Sequence, residues 1–392
     1  MKRFVKTCRA LLGFAAAGLI GLGSAQAQEP IRVGLLLPYS GPFADLALQM
    51  DTSVTAYMKQ NGDSIGGRKV EILKRDTTGV APDTAKRLAQ ELVVRDKVDV
   101  LAGVVFTPNA LAIAPVATEA KKPFIIMNAA ASIIPTRSPY IVRVSLAFHQ
   151  TIMPLGTWAV KNGIKRVYTL VSDYAAGHDA EAVFKKYFTA AGGEIIGEVR
   201  VPARNPEFAP YLQRVKDAKP DAVFSFVPAG EQSVAYFKGV VERGFQGAGI
   251  KLIGEASMTE DGIIESIGDP ALGTITAGNY SHDHNSPENA AFIKAFGEVN
   301  NKIRPNFFAV GAWDGMAAIY AALKAQNGQA DPDKMIEFLR TWKTTSPRGP
   351  IAIDAETRDI VQNVYIRRVE RKGGKLVNVE FETFPMVKDP GK

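Results

Sequence analysis

The chain has 392 residues, 46% of them hydrophobic, and 47 lysines and arginines against 40 aspartates and glutamates give a net charge of +7. That length exceeds what one core serves and points to two domains, each large enough to fold without crosslinks. The basic excess is mild and forms no lysine/arginine run interleaved with aromatics, which argues against nucleic acid as a partner.

Lys2, Arg3, Lys6 and Arg9 form a basic leader ahead of an apolar run, Ala10 to Leu22, and Ser24-Ala25-Gln26-Ala27 then offers an A-x-A cleavage site. The pattern is that of a secretory signal peptide, residues 1–27, and it predicts an exported chain starting at Gln28. The run is shorter than the roughly 20 residues of a spanning helix. Cys8, the only cysteine, leaves with the leader, so the mature chain has neither disulfide nor thiol chemistry. Cleavage also removes four basic residues and takes the net charge from +7 to +3.

Beyond the leader, Ile31 to Leu37 reads as a buried strand, followed by a Pro-Tyr-Ser-Gly-Pro turn and a helix near Ala44 to Asn61. Lys69 to Arg75 is the next strand. Pro82-Asp83 opens a helix with Ala85, Leu88, Ala89, Leu92 and Val93 on one face. Val98 to Val105 is a strand that breaks at Thr107-Pro108-Asn109, where an apolar stripe at helical spacing begins, and Pro123 to Met127 is a further strand. The Thr107 corner is a ready-made anion site, because free backbone N–H groups and the positive helix end point the same way. A second series starts at Lys165: strands at 167–171, 194–201, 222–227 and 250–253 alternate with helices at 179–191, 208–218 and 232–244. The two series echo each other, "KVDVLAGVVFTP" at 97–108 facing "KPDAVFSFVPAG" at 219–230. The order predicts an α/β protein of two doubly wound, parallel-sheet lobes, with a ligand cleft beyond the carboxyl ends of the strands.

Nothing in that cleft looks catalytic. No P-loop, G-x-S-x-G, H-E-x-x-H or strand-linked G-x-G-x-x-G occurs in the mature chain, and no cofactor is expected. His282 and His284 in "YSHDHNS" could share a metal, but solvated loop histidines explain them as well. Ser172, Asp173 and His178 could be read as a triad, or as capping and surface residues.

Taken together, "IRVGLLLPYSGPFAD", the stretch from "KRDTTGVAPDTAKRL" to "FTPNALAIAPVA", "KPFIIMNAAAS" and "RVYTLVSDYAAGHD" resemble the branched-chain amino acid-binding family. These are periplasmic solute-binding proteins of ABC importers. The resemblance implies a type I periplasmic binding fold, two lobes joined by three crossovers, here near Ser145, Asn279–Ser281 and Ser346–Ile351. It makes residues 28–145 and 281–346 the first lobe, and 146–280 and 347–392 the second. It further implies a monomer without enzymatic activity that hands a small-molecule ligand to a membrane permease.

In the family a Ser/Thr after the third strand and a small-residue loop after the fourth grip the ligand carboxylate. The matching positions are Thr107, in a register that also admits Asn109, and Ala130 to Ser132. An amino-acid ligand also needs a carboxylate and an aromatic hydroxyl from the second lobe, and here the chain departs. Ala229 stands where an aromatic is usual, and the acidic position falls on Ala256, with Glu255 one place earlier. A buried ammonium without a partner is costly. Aromatic residues remain at cleft positions, Phe43, Phe106, Tyr280 and Trp313, with core packing as their alternative reading. The expectation is a small carboxylate, flat and apolar instead of zwitterionic: an aromatic acid of the benzoate or phenylpropenoate type. A ring hydroxyl could meet Glu255, Tyr174 or His282. An amino acid carrier with Glu255 on the ammonium, and a ligand-sensing receptor subunit, are the alternatives.

Overall fold

A computed structural model describes residues 29–203 and 205–391; the leader and its cleavage site lie outside the described residues. The chain begins with β1 (Ile31–Leu37), α1 (Ala44–Asn61), β2 (Ser64–Ile65), β3 (Arg68–Asp76), α2 (Pro82–Val94), β4 (Val100–Gly103), α3 (Thr107–Glu119), β5 (Phe124–Ile126) and β6 (Ile141–Arg143). These strands make one sheet in the order β2-β3-β1-β4-β5-β6, parallel apart from the β2–β3 hairpin. β4 and β5 are buried throughout, as strands covered on both faces must be. α2 starts on Pro82 and turns Ala85, Leu88, Ala89 and Leu92 into the core, as the periodicity predicts.

The second series is α4 (Phe148–Lys161), β7 (Arg166–Asp173), α5 (Ala175–Ala190), β8 (Glu194–Pro202), α6 (Ala209–Asp217), β9 (Ala222–Phe226), α7 (Glu231–Glu242), β10 (Lys251–Glu255), α8 (Ile264–Ile267) and β11 (Ile275–Gly278). The chain then returns to the first sheet with α9 (Pro287–Gly297), α10 (Phe307–Lys324) and α11 (Pro332–Leu339), α10 packing along α1 and over β4 and β5. β12 (Lys343–Ser346), β13 (Gly349–Ile353), β14 (Ile360–Lys372) and β15 (Lys375–Val387) complete the second sheet in the order β12-β13-β14-β11-β10-β9-β7-β8, with β15 on β14. The fold is the two-lobed α/β architecture that the alternation predicts. One feature differs: β12 to β15 add an antiparallel extension to a parallel core, so the second sheet is mixed. A parallel strand needs a covering crossover, whereas these strands follow one another through short turns.

Residues near the predicted crossovers form a buried polar knot. Arg348 donates to the carbonyls of Val144 and Ser145 and to Gln362, and its Nε lies 2.9 Å from Asp314 Oδ2, which also accepts from Ser346 Oγ at 2.9 Å. Gln362 Nε2 donates to the Ser145 carbonyl at 2.9 Å, and Asn279 Nδ2 reaches Ser145 O at 3.3 Å and Gln362 Oε1 at 3.2 Å. Residues near all three predicted crossings are thus tied together.

Candidate ligand site between the lobes

In parallel strands, register decides which corners meet. Leu36 pairs with Gly103 and Gly103 with Ile126, so the turns after β1, β4 and β5 lie side by side. In the other sheet Val171 pairs with Phe226 and Ser225 with Gly254, which aligns the turns after β7, β9 and β10. The two sets of corners enclose one cavity, lined from the first lobe by Leu46, Phe106, Thr107, Asn128, Ala130, Phe307 and Phe308, and from the second by Phe148, Tyr174, Ala176, Phe226, Ala229 and Ser257, among others. Among the described residues no charged side chain lines it. Its lining comes from the amino ends of α1, α3, α4, α5 and α10 and the turn into α7, where unpaired N–H groups concentrate positive partial charge.

The Thr107 corner is built under strain. β4 ends at Gly103, short of the expected Val105, because Val104 takes a left-handed φ of 66°, uncommon for a β-branched residue. Backbone bonds from Val104 N to Leu36 O and from Ala129 N to Val104 O, at 2.9 and 3.1 Å, hold it there. Strain of this kind concentrates where function needs a fixed geometry. Phe106 is the N-cap of α3, and no side chain caps the helix, so the Thr107 hydroxyl is not used as a cap. It makes no hydrogen bond among the described residues and borders the cavity. α5 begins at Ala175 rather than Asp179, with Tyr174 as its N-cap, because Gly177 lets the helix rest on the end of β7; a Cβ there would lie 1.9 Å from Ser172 O. That seat brings Ala176 to the cavity wall.

The expected residues divide between wall and scaffold. Phe106, Thr107, Ala130, Tyr174 and Ala229 line the inner cavity. Phe43 stands in the adjoining mouth, its ring edge-on to Phe106 at 4.8 Å. Asn109 lies outside the wall: its Nδ2 donates to Gly79 O at 2.8 Å and its Oδ1 accepts from Ala81 N at 3.0 Å, pinning α3 to the loop before α2. Ser132 turns instead to His149, 2.8 Å from its Nδ1. Tyr280 is fully buried and donates to Asn289 Oδ1 at 2.9 Å, and Trp313 packs edge-on against Tyr57 and Phe292 at 4.9 and 5.2 Å, so these two rings serve the core. His282 is fixed through its backbone N–H to Asp261, and burial pushes its imidazole pKa down. His284 pairs with Glu380 at 2.7 Å. Glu255 sits just behind the wall, its carboxyl pushed up by burial against the hydrogen bonds from Ser257. Ala256 packs against Gly278.

Asn128, Phe148, Phe226, Ser257, Phe307 and Phe308 are among the wall residues that escaped the sequence reading. Phe226 ends β9, one residue short of the end of the predicted strand, so its place at a carboxyl-end corner was legible; Asn306, capping α10 through Phe308 N, marks the start that presents Phe307 and Phe308. The rings form a cage: Phe148 lies edge-on to Phe226 at 5.1 Å, and Phe307 stacks on Phe308 at 4.2 Å. Of the groups considered for chemistry, His178 pairs with Asp173 at 2.7 Å on the surface, while Ser172 Oγ is buried without a partner among the described residues, so the three form no relay. Among the described residues no group of three or more His, Cys, Asp or Glu side chains could hold a metal ion.

One ionisable group joins the two halves beside the cage. Glu260, after β10, accepts from Asn306 Nδ2 and from Gly262 N at 2.7 Å. Burial outweighs these hydrogen bonds and, with Asp261 and Asp45 adding to it, pushes the carboxyl up to about 7 from an ordinary 4.5. A raised folded-state pKa means that the stabilising contribution is complete below pH 4.5 and is lost as pH rises through about 7. Between pH 5 and 8 the ligand-free protein should therefore lose up to about 3 kcal/mol through this group. Glu260→Gln should remove that part of the slope in urea titrations across the range; an unchanged slope would show that Glu260 is ionised throughout.

Comparison with known proteins places this geometry among relatives. A family profile described as periplasmic binding protein matches residues 30–375. Leu/Ile/Val-binding protein homolog 6 of Brucella melitensis is 39% identical over 393 aligned positions, covering 100% of this chain and 99% of that protein. A solute-binding protein of an ABC transporter from Rhodopseudomonas palustris BisB5, solved with 3,4-dihydroxybenzoic acid, is 51% identical with a TM-score of 0.90, covering 92% of this chain and 99% of that one. Another, from Rhodopseudomonas palustris HaA2 and solved with p-hydroxybenzoic acid, is 40% identical with the same TM-score of 0.90 and the same coverage of 92% and 99%.

Proposed function

The chain belongs to the periplasmic binding protein family, and on that footing we propose that it is the solute-binding component of an ABC importer and carries an aromatic carboxylate between two closing lobes. The observation that carries this reading is the cavity itself: an aromatic cage without a charged side chain among the described residues, with the Thr107 hydroxyl and several helix amino ends on its wall. Such a wall suits a single carboxylate and a flat ring. It offers an α-ammonium no charged partner on its surface, and both the 51% and the 40% identical relatives were solved with hydroxybenzoates. The lobes divide near Ser145, Asn279–Ser281 and the 346–351 hairpin. Export removes the leader after Ala27, and the monomer acts in the periplasm by binding alone, its closed form being what the permease recognises.

The test is calorimetric, on protein stripped of copurified ligand, with leucine and phenylalanine set against benzoate, 4-hydroxybenzoate and a hydroxycinnamate. Binding of the aromatic acids and no heat from leucine is the expected result; tight leucine binding with no heat from the acids would restore the amino acid carrier. In the same assay Thr107→Ala removes one hydrogen bond to a charged group, about 1.5–3 kcal/mol, and should weaken binding about 10-fold or more. The melting temperature of the ligand-free protein should stay where it was. Unaltered affinity would place the carboxylate elsewhere.

A further inference from the structure

The second-lobe wall of the cavity carries a polar corner that the carboxylate grip does not use. Glu255 ends β10 and is fully buried. Its Oε2 accepts from Ser257 N at 2.9 Å and from Ser257 Oγ through a short hydrogen bond. Its Oε1 is buried and has no hydrogen-bond partner among the described residues. Arg367, whose charge acts on Glu255, directs its own donors to Tyr280 O, Ala256 O and Thr276 Oγ1 and leaves that oxygen unmet.

Ser257 itself lines the cavity. With its hydroxyl proton committed to Glu255, only acceptor lone pairs remain on Ser257 Oγ. Tyr174 also lines the cavity, and burial, with Glu255 adding to it, pushes its hydroxyl pKa up, so the phenol keeps its proton and can donate as well as accept. The orphaned Glu255 Oε1 and the Ser257 lone pairs still leave acceptors in excess, and they call for a donor from the ligand. An unsubstituted ring has none; a phenolic hydroxyl supplies one.

We propose that Glu255 and Ser257 read a hydroxyl on the ligand's ring, so that hydroxylated aromatic acids are the preferred class. The inference rests on the aromatic-acid reading given above. Ser257 accepts the hydroxyl's hydrogen bond, and Glu255 is the positioning residue that pins the serine proton away from the ligand. A site arranged to hydrogen-bond a hydroxyl discriminates against the analogue that lacks it, because its own polar groups are then left unpaired.

The experiment compares benzoate with 2-, 3- and 4-hydroxybenzoate by calorimetry on the wild type, Ser257→Ala, Glu255→Gln and Asn128→Ala. The wild type should bind its best hydroxybenzoate at least about 10-fold more tightly than benzoate. Ser257→Ala and Glu255→Gln should each bring that ratio to within about twofold, the hydroxybenzoate losing far more affinity than benzoate does. A purely structural role would lower both affinities together and keep the ratio. If Glu255→Gln does not fold, Ser257→Ala, a loss at the cavity wall, decides the matter alone. A wild-type ratio near one, or a ratio that survives both variants, overturns the proposal. So does a ratio that falls only in Asn128→Ala, since the Asn128 Oδ1, also without a partner among the described residues, would then be the reader. If none of the aromatic acids binds and leucine does, the aromatic-acid reading itself has failed, which this panel separates from a failure of hydroxyl recognition alone.

Discussion

Arg348→Ala should destabilise the ligand-free protein by about 3–5 kcal/mol, the range for breaking a buried pair by removing one partner. Arg348 and Asp314 are both buried, 1% and 0% exposed, and 2.7 Å apart. Asp314 Oδ1 already lacks a partner among the described residues, so without the guanidinium the carboxylate would keep only the Ser346 hydroxyl. Val144 O would lose its Arg348 donor at the same place. Urea titration should show the loss, and the double variant Arg348→Ala/Asp314→Ala should recover part of it, because the stranded charge is gone. A single variant within about 1 kcal/mol of the wild type would mean that water satisfies Asp314 and that the knot contributes little.

The largest expected effect on binding comes from filling the cavity. Ala229 sits at the corner after β9 and belongs to both the inner cavity and its mouth. Ala229→Trp would place an indole where the ligand ring is expected, between Phe106 and Tyr174. Affinity for every aromatic acid should fall by at least about 100-fold, since rearranging a packed site around a ring requires a few kcal/mol. A cooperative thermal transition retained by the ligand-free variant would show that the lost affinity reports a blocked cavity and not a lost fold. Ala229→Ser, which fits, should bind within a few-fold of the wild type. Binding by the tryptophan variant within tenfold of the wild type would locate the ligand away from the β9 corner.

How much of this was legible beforehand follows from what each signal depends on. β1, β9 and α2 could be read because their burial patterns are local: apolar runs bounded by turn residues, or a stripe at helical spacing. The antiparallel extension could not, since β14 and β15 mix apolar with charged residues and β14 owes its place to a partner far away in the chain. At the site, the Thr107 corner was marked by its own residues, and the family resemblance pointed to Thr107 and Ala130, both of which line the cavity. Phe307 and Phe308 were not, because they reach the cavity on a helix that returns after the whole second series. Trp313 and Tyr280 illustrate the opposite limit. Composition marks an aromatic residue as valuable, but only packing decides whether its ring faces a ligand or, as here, Tyr57, Phe292 and Asn289.

The uncharged wall has a consequence for how a ligand arrives. Lysine or arginine side chains at a cleft draw anions in from about a Debye length, some 10 Å at 0.1 M salt, and dissolved ions weaken that pull. Helix amino ends act only over their first turn. Among the described residues at the mouth, Glu231 on its lining and Asp45 close to Gly230 have the wrong sign to attract an anion. The inner wall therefore holds an aromatic anion through short-range contacts with little in them for dissolved salt to screen. Once the lobes have closed, retention of the ligand should depend little on ionic strength.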